Sequence, residues 1–484
     1  MQRLLFYTLL PGLLAGPALA QKTYPRGLTL DDAAYESVPL KAVLTKGNFD
    51  KLAPRVSYEA FCPPVMSQDD YNTCVAFATT YYMRTMLETI RQKQPGSAVN
   101  RAAFSPSYTY EKIKTAQDVN CKGGSRLPDA LFALKTYGAP RYDALPYPSC
   151  ADPGNTLDAL AAPHKIGDVI RLFGTGATPG QKVLFMKKAL SEGYPVVIGM
   201  HTPLSFFATR DVWEPAPGDA LVKNGEGHAL CVIGYDDARF GGAFRVVNSW
   251  GTGWADGGFC WIRYNDLARF TPYAFQAFPS LTPVAPTEAP ALAAGMNGTV
   301  EFRLRDGLLM NANPTLQKGV TGVSSAPGPL TAQSMVYRMA ETYPSGTAFK
   351  VFVNNSKQAY LYMIGTDTTY QMTRLFPYAD GISPLLGPNT TVAYPSETKS
   401  VALDNTKGTD YVLMLFSKKP LDYTRLMDQM QRTPGNLADR VMTVLKDDLI
   451  KGQSIRYRTD AVGFDLDETA IGSVVPVLVA LDHQ

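Results

Sequence analysis

The sequence predicts an α+β protein in which a mixed first domain is followed by a mainly β, sandwich-like second domain. Its 484 residues exceed the size of one ordinary hydrophobic core, so at least two domains are expected. Hydrophobic residues make up 45% of the chain and charged residues 18%, which is typical of a globular protein and not of a disordered one. A segment rich in proline and alanine, residues 279–297, is predicted to be an extended linker between the two domains.

The N-terminus has the features of a secretory signal peptide. Arg3 supplies a positive charge, residues 4–14 are largely apolar, and Ala18-Leu19-Ala20 gives the small-x-small pattern of a cleavage site. The apolar stretch is too short to span a membrane. We therefore interpret residues 1–20 as a signal peptide, which predicts secretion to the bacterial periplasm or beyond. Residues 21–55 then form a polar, irregular N-terminal extension.

Charge and histidine content exclude several classes of partner. The formal net charge is +3 and no stripe of Lys and Arg is present, so neither nucleic acid nor an anionic membrane surface is expected as a partner. The chain contains only four His residues, and they do not complete a zinc site with the cysteines. We expect no metal and no cofactor.

A cysteine lies where a loop enters a predicted helix. The segment after Cys74 is rich in apolar residues and contains neither Gly nor Pro up to residue 94, which favours a helix. The unpaired backbone N–H groups and the dipole at a helix N-terminus stabilise a thiolate, which is the nucleophilic form of cysteine. Taken alone, this position is also compatible with a buried structural cysteine.

A histidine and an asparagine follow on neighbouring predicted strands. His228 opens a short apolar strand, residues 243–247 form the next one, and Asn248 comes directly after it. A third strand is predicted over residues 259–264. An amide at this place can hold one ring nitrogen of the histidine and so fix its tautomer and orientation.

These segments together resemble the papain family of cysteine peptidases. The resemblance rests on Gln68-x5-Cys74 followed by x-Ala-Phe, on His228-Ala229, and on Asn248-Ser-Trp-Gly-Thr-Gly-Trp254. Three intervening segments occur in the same order as in that family: Phe104-Ser-Pro-Ser, Cys121-Lys-Gly-Gly124, and residues 137–147 before Cys150. The likeness covers residues 56–278, which we predict to be the peptidase domain.

The resemblance implies a two-lobed fold, in which a helical lobe carries Cys74 and a β-barrel-like lobe carries His228 and Asn248. It implies that Cys74 and His228 rest as a thiolate–imidazolium pair and that Cys74 attacks the scissile carbonyl of a peptide. The Gln68 side chain would stabilise the oxyanion with the backbone N–H of Cys74.

Other residues take their expected roles from the same resemblance. Gly123 and Gly124 would let the substrate backbone run along the cleft, Ala229 would line a side-chain pocket, and Trp250 would shield the contact between His228 and Asn248. A disulfide between Cys121 and Cys150 is also implied.

The sequence departs from the family pattern near the nucleophile. Val75 stands where the family usually has Trp, Asn72-Thr73 replaces Gly-Ser, and Asp69-Asp70 replaces a glycine-containing stretch. The N-terminal extension leaves no room for the long inhibitory propeptide of many relatives, so any latency must come from elsewhere. Cys62 stays unassigned.

Residues 298–484 are predicted to form the second domain. Residues 299–305, 349–353 and 360–364 alternate between apolar and polar, as half-buried strands do, and residues 421–450 have helical spacing. This part resembles a β-rich domain of unknown function found in secreted bacterial proteins. It contains neither His nor Cys between residues 261 and 482, so it offers no second nucleophile–base pair. We expect it to bind a protein or a cell-surface component, and an inert spacer is the alternative.

The sequence therefore predicts a secreted cysteine endopeptidase that acts on peptides or proteins. Two alternatives stay open. One is an exopeptidase or a transpeptidase that uses the same acyl-enzyme, and the other is a peptide- or surface-binding module with little or no activity on a peptidase scaffold.

Overall fold

The structure is a computed structural model that describes residues 23–221, 227–280, 295–314, 335–451, 454–467 and 470–484. The predicted signal peptide and most of the predicted linker lie outside these ranges. Within them, no helix combines the length and the apolar character needed to cross a membrane.

The helices cluster in the first half of the chain. Within the described residues they are α1 (Asp32–Glu36), α2 (Cys74–Ala76), α3 (Thr85–Gln92), α4 (Ala98–Ala102), α5 (Pro106–Ile113), α6 (Leu127–Thr136), α7 (Asp158–Ala161), α8 (Pro179–Ser191), α9 (Leu204–Phe207), α10 (Tyr264–Phe270), α11 (Tyr423–Arg432) and α12 (Leu437–Leu445). Between α2 and α3, Phe77–Arg84 continue the helix with wider, π-type hydrogen bonding. Residues 74–92 therefore form one helix, which we call the central helix, and the predicted helix after Cys74 is confirmed.

One sheet organises the β part of the first half. Its strands are β1 (Arg55–Ser57), β2 (Ile166–Arg171), β3 (Val196–Met200), β4 (Val212–Trp213), β5 (His228–Asp236), β6 (Ala243–Val247), β7 (Phe259–Arg263) and β8 (Tyr273–Pro279). Their order is β2-β8-β3-β5-β6-β7-β4, with β1 paired to β5. The three strands predicted around His228 and Asn248 are thus present as β5, β6 and β7, in adjacent antiparallel positions.

The second half contains two further sheets. The strands are β9 (Asn297–Leu304), β10 (Leu309–Met310), β11 (Ala312–Pro314), β12 (Val336–Met339), β13 (Ala348–Asn355), β14 (Ala359–Thr366), β15 (Thr373–Phe376), β16 (Leu385–Leu386), β17 (Thr390–Tyr394), β18 (Val401–Ala402), β19 (Gly408–Ser417), β20 (Ile455–Tyr457), β21 (Val462–Leu466) and β22 (Val474–His483). Sheet A has the order β17-β13-β9-β21-β20, and β10 and β18 pair at its margins. Sheet B has the order β11-β12-β22-β19-β14-β15, and β16 pairs with β14.

The two sheets share an apolar core, as a sandwich requires. Side chains of both sheets meet in it, and the rings of Phe416 and Phe464 lie 5.0 Å apart. The other face of sheet B is also buried, because Tyr362 and Leu415 belong to the same apolar cluster as Met430 of α11 and Phe278 of β8. The predicted α+β class with a mainly β second half is confirmed, and sheet B is the layer that joins this half to the first.

The N-terminal extension contains more structure than its sequence pattern indicated. It forms α1 and, at its end, β1, which pairs with β5. Leu40 and Leu44 form β-bridges with Ile382 and Val392 of the second half. These elements are fixed by long-range partners, and a local search for periodicity does not detect such partners.

Candidate active site

Cys74 begins the central helix and is completely buried. No side-chain hydrogen bond caps this helix start. The first turn packs against β5, the strand that begins with His228. The loop-to-helix junction predicted for Cys74 is therefore present, and the fold sets it against the histidine strand.

His228 and Asn248 are hydrogen-bonded to each other. The Nε2 atom of His228 lies 2.7 Å from Oδ1 of Asn248, because β5 and β6 are antiparallel neighbours and bring their site-bearing ends to the same edge. With Nε2–H donating to the amide oxygen, Nδ1 of the neutral ring is left as an acceptor. Nδ1 is buried, and no hydrogen-bond partner for it exists among the described residues. This arrangement leaves one basic nitrogen available for proton transfer.

Trp250 covers the contact between His228 and Asn248. Its ring stacks on the imidazole with centroids 4.6 Å apart, and it is 4% exposed. Trp254 and Phe206 pack around it edge-on or tilted. A hydrogen bond kept away from water is stronger than an exposed one, so this position is compatible with the shielding role, which stays a prediction.

The side chain of Gln68 is fixed from both ends. Its Oε1 accepts a hydrogen bond from the Ser249 hydroxyl at 2.7 Å, which leaves Nε2 as the donor. Nε2 donates to the carbonyl oxygens of Tyr71 at 2.7 Å and Arg26 at 3.1 Å. An amide donor held in this way is suited to binding a carbonyl oxygen, which is the role predicted for Gln68.

The Cys121–Gly124 loop is held rigidly beside the site. The disulfide implied by the family resemblance, Cys121–Cys150, is present. Asp118 accepts hydrogen bonds from the Lys122 N–H at 2.9 Å and from the Tyr110 hydroxyl at 2.7 Å. The Tyr110 hydroxyl in turn accepts one from the Gly124 N–H at 3.0 Å. Gly123 faces Asp118, and a Cβ there would lie 3.1 Å from its carboxylate.

Residues 24–30, which we call the strap, cross the cleft between this loop and β5. Leu28 exchanges two backbone hydrogen bonds with Gly227, the residue before His228, at 3.2 and 3.0 Å. On the other side, Ser125 N–H donates to the Gly27 carbonyl at 2.8 Å, and Thr29 N–H donates to the Ser125 carbonyl at 2.9 Å. The strap is therefore hydrogen-bonded through its backbone to one segment on each side of the cleft.

The approach of the strap to the loop requires glycines on both sides. A Cβ at Gly124 would lie 2.7 Å from the Gly27 carbonyl oxygen, and one at Gly27 would lie 2.2 Å from the Asn72 carbonyl oxygen. Both residues also have positive φ, of +74° and +128°. Gly124 thus lies beside an extended backbone, as predicted, and in this structure that backbone belongs to the chain itself.

The first residues of the strap contact Trp250 and Gln68 directly. Tyr24 stacks on Trp250 with centroids 4.7 Å apart, and the Trp250 indole N–H donates to the Pro25 carbonyl at 2.9 Å. The Arg26 carbonyl occupies the Gln68 donor. As a result, the amide donor that is predicted to bind a substrate carbonyl oxygen already binds the carbonyl oxygen of Arg26.

A side-chain pocket receives Leu28, which is 1% exposed. Gly199 and Gly227 form part of its wall, and a Cβ at Gly199 would lie 2.9 Å from the Leu28 side chain. Ala229 of β5 pairs directly with Gly199 of β3 and belongs to the same apolar cluster as Leu28. Ala229 thus lies close to the place that Leu28 fills, and its role in binding a substrate side chain stays a prediction.

Burial under the strap controls the charge of His228. The ring has no exposed surface, and this desolvation lowers the pKa of His228 to about 4. The hydrogen bond that the ring donates to Asn248 opposes the shift, and the nearby positive charge of Arg26 adds to it. The ring is neutral at pH 7 in this closed state. The resting thiolate–imidazolium pair that the resemblance implies stays a prediction, and it needs a proton on this ring.

Several supporting residues were missed by the sequence reasoning. The Tyr82 hydroxyl donates to the Asn248 carbonyl at 2.9 Å and accepts from the Met66 N–H at 3.3 Å. The Tyr147 hydroxyl donates to the Gln68 carbonyl at 2.6 Å. Ser249 was quoted only as part of a motif. Its place directly after Asn248 was the one available signal. Tyr82 lies only eight residues after Cys74, but the partners of its hydroxyl and of the Tyr147 hydroxyl are set by the tertiary fold.

Comparison with known families agrees with this geometry. Residues 51–271 match the model of the papain family cysteine protease, and residues 342–420 match a domain of unknown function, DUF4384. No curated protein matches the chain.

Solved structures with a similar fold include xylellain, a cysteine protease from Xylella fastidiosa, which is 21% identical with a TM-score of 0.42. That match covers 54% of this chain and 97% of xylellain. Procathepsin B S9 from Trypanosoma congolense is 16% identical with a TM-score of 0.42, covering 53% of this chain and 86% of its own. Digestive procathepsin L 3 of Tenebrio molitor is 17% identical with a TM-score of 0.40, covering 51% and 77%. The chain thus contains a papain family cysteine protease domain over residues 51–271, followed by a DUF4384 domain over residues 342–420.

Proposed function

We propose that this protein is a cysteine endopeptidase with Cys74 as the nucleophile, His228 as the general base and acid, and Asn248 as the residue that orients the histidine. The observation that carries the proposal is the hydrogen bond between His228 and Asn248 at the ends of adjacent strands, next to the helix that begins at Cys74. Gln68 supplies a fixed amide donor close by.

The reaction follows from these positions. His228 Nδ1 accepts the Cys74 thiol proton, and the sulfur attacks the carbonyl carbon of the scissile bond. Gln68 Nε2–H and the Cys74 N–H bind the oxyanion, and one such donor contributes about 3 kcal/mol to the transition state. His228 then protonates the leaving amine, and water hydrolyses the thioester to return the enzyme.

We also propose that the strap keeps the enzyme latent. The strap fills the backbone positions on both sides of the cleft, occupies the Gln68 donor and inserts Leu28 into the side-chain pocket. A peptide substrate needs the same places. Activity therefore requires the strap to leave, and a segment of only seven residues takes the place of a long propeptide.

Alkylation of the cysteines, followed by mass spectrometry, tests the catalytic assignment. The protein with its strap displaced is treated with iodoacetamide near pH 6, where an ordinary thiol is almost entirely protonated. We expect rapid labelling confined to Cys74, strong slowing in His228→Ala, and peptide hydrolysis that is lost in Cys74→Ala. Labelling that is equally slow in both proteins would reject the catalytic pair and favour a binding module.

Displacement of the strap is achieved with Leu28→Asp in the full chain. A carboxylate does not fit an apolar pocket, because its burial costs several kcal/mol. We expect the variant to hydrolyse peptides and to label at Cys74 at least tenfold faster than the wild type. Leu160→Asp is the matched control, because Leu160 is 54% exposed on the surface. Equal rates in wild type and Leu28→Asp would reject latency but not catalysis.

Two further parts of the proposal have separate tests. Transfer of the acyl group to an added amine, in preference to water, would identify a transpeptidase. Secretion is proposed from residues 1–20, which lie outside the described residues, and the N-terminal sequence of the exported protein checks it. A mature chain that begins at Gln21 would retain the strap.

A further inference from the structure

A cavity of about 310 Å³ lies at one end of the C-terminal sandwich, between sheets A and B. Strands β13, β17 and β18 form one wall and β14, β15, β19 and β22 form the other. Its size is in the range of small-ligand sites in proteins. None of its lining residues belongs to the peptidase region, so it is separate from the cleft described above.

The floor of the cavity is apolar. Phe349 and Val351 contribute from sheet A, and Leu375, Val412 and Leu481 contribute from sheet B. All five are at least nine-tenths buried and form part of the sandwich core. A ligand that enters the cavity therefore meets hydrocarbon at the bottom.

Carboxylates are the charged groups of the lining. Asp367, Asp404 and Asp410 line the cavity, and the lining includes neither Lys nor Arg. Among the described residues, no lysine or arginine forms an ion pair with any of the three. The nearest histidine atom, Nε2 of His483, lies 3.5 Å from Asp410. The cavity thus combines an apolar floor with an excess of negative charge.

Asp410 lies close enough to the other two carboxylates to be affected by their charge. Burial raises the pKa of Asp410, the negative charges of Asp404 and Asp367 raise it further, and His483 partly opposes them. A cation placed among the three carboxylates would relieve their repulsion. In the described parts of the chain, no group of three or more His, Cys, Asp or Glu side chains is placed to hold a metal ion.

Strands at the margins of both sheets border the cavity. β15 ends the order of sheet B, and β18 pairs only at the margin of sheet A. Strands in such positions leave backbone N–H and C=O groups open to an added extended peptide. The surroundings of the cavity are therefore suited to a polypeptide rather than to a small free amine.

We propose that this cavity binds a lysine or arginine side chain of an extended polypeptide, with the aliphatic stem on the apolar floor and the cationic end among Asp367, Asp404 and Asp410. Long basic side chains combine these two properties, since their stems are apolar and their ends are charged. The C-terminal domain would then recognise basic residues of a bound polypeptide. The proposal does not depend on the catalytic assignment of the first half.

Isothermal titration calorimetry on the full-length Cys74→Ala protein tests the proposal without cleavage of the probe. The probes are three otherwise identical uncharged 12-residue peptides with a central lysine, norleucine or glutamate. We expect the lysine peptide to bind at least tenfold more tightly than the norleucine peptide, which has the same stem without charge. Equal binding of lysine and norleucine peptides would overturn the proposal.

Variants locate the binding. Asp404→Asn/Asp410→Asn should weaken lysine-peptide binding at least tenfold, and Ala402→Trp, at an exposed lining position, should do so by filling the entrance. Asp447→Asn, an exposed carboxylate elsewhere in the same half, is the control and should bind like the parent. Unchanged binding in both cavity variants would overturn the proposal. It would also be overturned if free cadaverine displaced the lysine peptide at an equal concentration, because the site would then bind a free amine as well as a polypeptide.

Discussion

Buried polar side chains are arranged differently in the two halves of the molecule. In the peptidase half they converge on one cleft, where His228, Asn248, Ser249 and Gln68 are connected by hydrogen bonds and almost fully buried. In the C-terminal half, the cavity has an apolar floor and an acidic lining. Chemistry on a peptide bond needs particular atoms at fixed distances, whereas holding a side chain needs only shape and charge.

The largest expected effect tests whether all of the chemistry lies in the first half. Cys74→Ala removes the proposed nucleophile, so peptide hydrolysis should fall by at least about a thousandfold. The unfolding free energy should change little, because Ala fits the space of a small buried cysteine. The measurement is steady-state hydrolysis in the Leu28→Asp background.

Cys62→Ala is the control for that prediction, since Cys62 is a partly buried free thiol whose pKa is raised well above its usual value by burial. It should keep its activity. Residual hydrolysis in Cys74→Ala beyond this limit would mean that the chemistry is not confined to the cleft.

A second prediction asks whether the halves fold as one unit. Glu192 is 3% exposed in its side chain and contacts Lys41 at 3.4 Å, Lys188 at 3.2 Å and the Thr390 hydroxyl at 3.4 Å. Glu192→Gln leaves two buried cations without their carboxylate, which should cost about 3–5 kcal/mol of unfolding free energy. Urea unfolding, followed separately in each half, measures it.

The matched control for the interface is Glu214→Gln. Its ion pair with Arg263 is largely exposed, at 56% and 44%, so the loss should stay below about 1 kcal/mol. Two separate unfolding transitions, with only one of them affected by Glu192→Gln, would show that the halves are energetically independent.

The third prediction concerns the pH dependence of the closed cleft. Unfolded His228 titrates near pH 6.5 and the buried ring near pH 4, so between these values protons bind the unfolded chain preferentially. The stability contributed by the neutral ring is present above pH 6.5 and is lost as the pH falls towards 4. The total loss is about 3 kcal/mol, at about 1.4 kcal/mol per pKa unit.

Urea unfolding at pH 7 and at pH 4.5 checks this for the wild type and for His228→Gln. The variant should lose less stability than the wild type on acidification. His164, whose pKa burial also lowers to about 4, titrates in both proteins and cancels in the difference. An identical loss in both proteins would contradict the burial of a neutral ring. The same linkage predicts that acid favours release of the strap.

The smallest expected effect comes from a residue that supports the site without touching substrate. Tyr82 connects the central helix to the Asn248 carbonyl and to the Met66 N–H. Tyr82→Phe should lower kcat about tenfold and leave KM unchanged, because loss of one hydroxyl costs about 1 kcal/mol and loosens two segments at once. Steady-state kinetics in the Leu28→Asp background measures both constants.

Tyr108→Phe controls for the loss of a tyrosine hydroxyl as such, since that hydroxyl donates to Asp158 away from the cleft. It should leave kcat unchanged. A rise in KM alone for Tyr82→Phe would assign Tyr82 to substrate binding and not to positioning.

The predictability of the two halves differs for a physical reason. Cys74, His228, Asn248 and Gln68 could be proposed from the sequence, because their motifs occur in the order of the family. The Cys121–Cys150 disulfide followed from the same order, and it is present in the structure. The strands of the C-terminal half could be located from their alternation, but their pairing could not, because register depends on distant partners.

The strap shows most clearly which features a local sequence pattern does not predict. Residues 24–30 have no periodicity, and their conformation is fixed by Gly227, Ser125 and Trp250, which lie 95 or more positions along the chain. Local pattern reading assigned them to an irregular extension. The short length of this extension also predicted that latency would not come from an N-terminal segment, because length alone does not show where a segment binds.

The sequence by itself determined the α+β class, the family and the residue types available for chemistry, since these depend on local pattern and on the identity of single side chains. Only the tertiary structure decided that the strap closes the cleft, that burial keeps His228 neutral in that state, and that a cavity with an acidic lining opens in the second half. Each of these properties arises from contacts between segments far apart in the chain. Solvent exclusion and charge proximity are properties of such contacts and of no single segment.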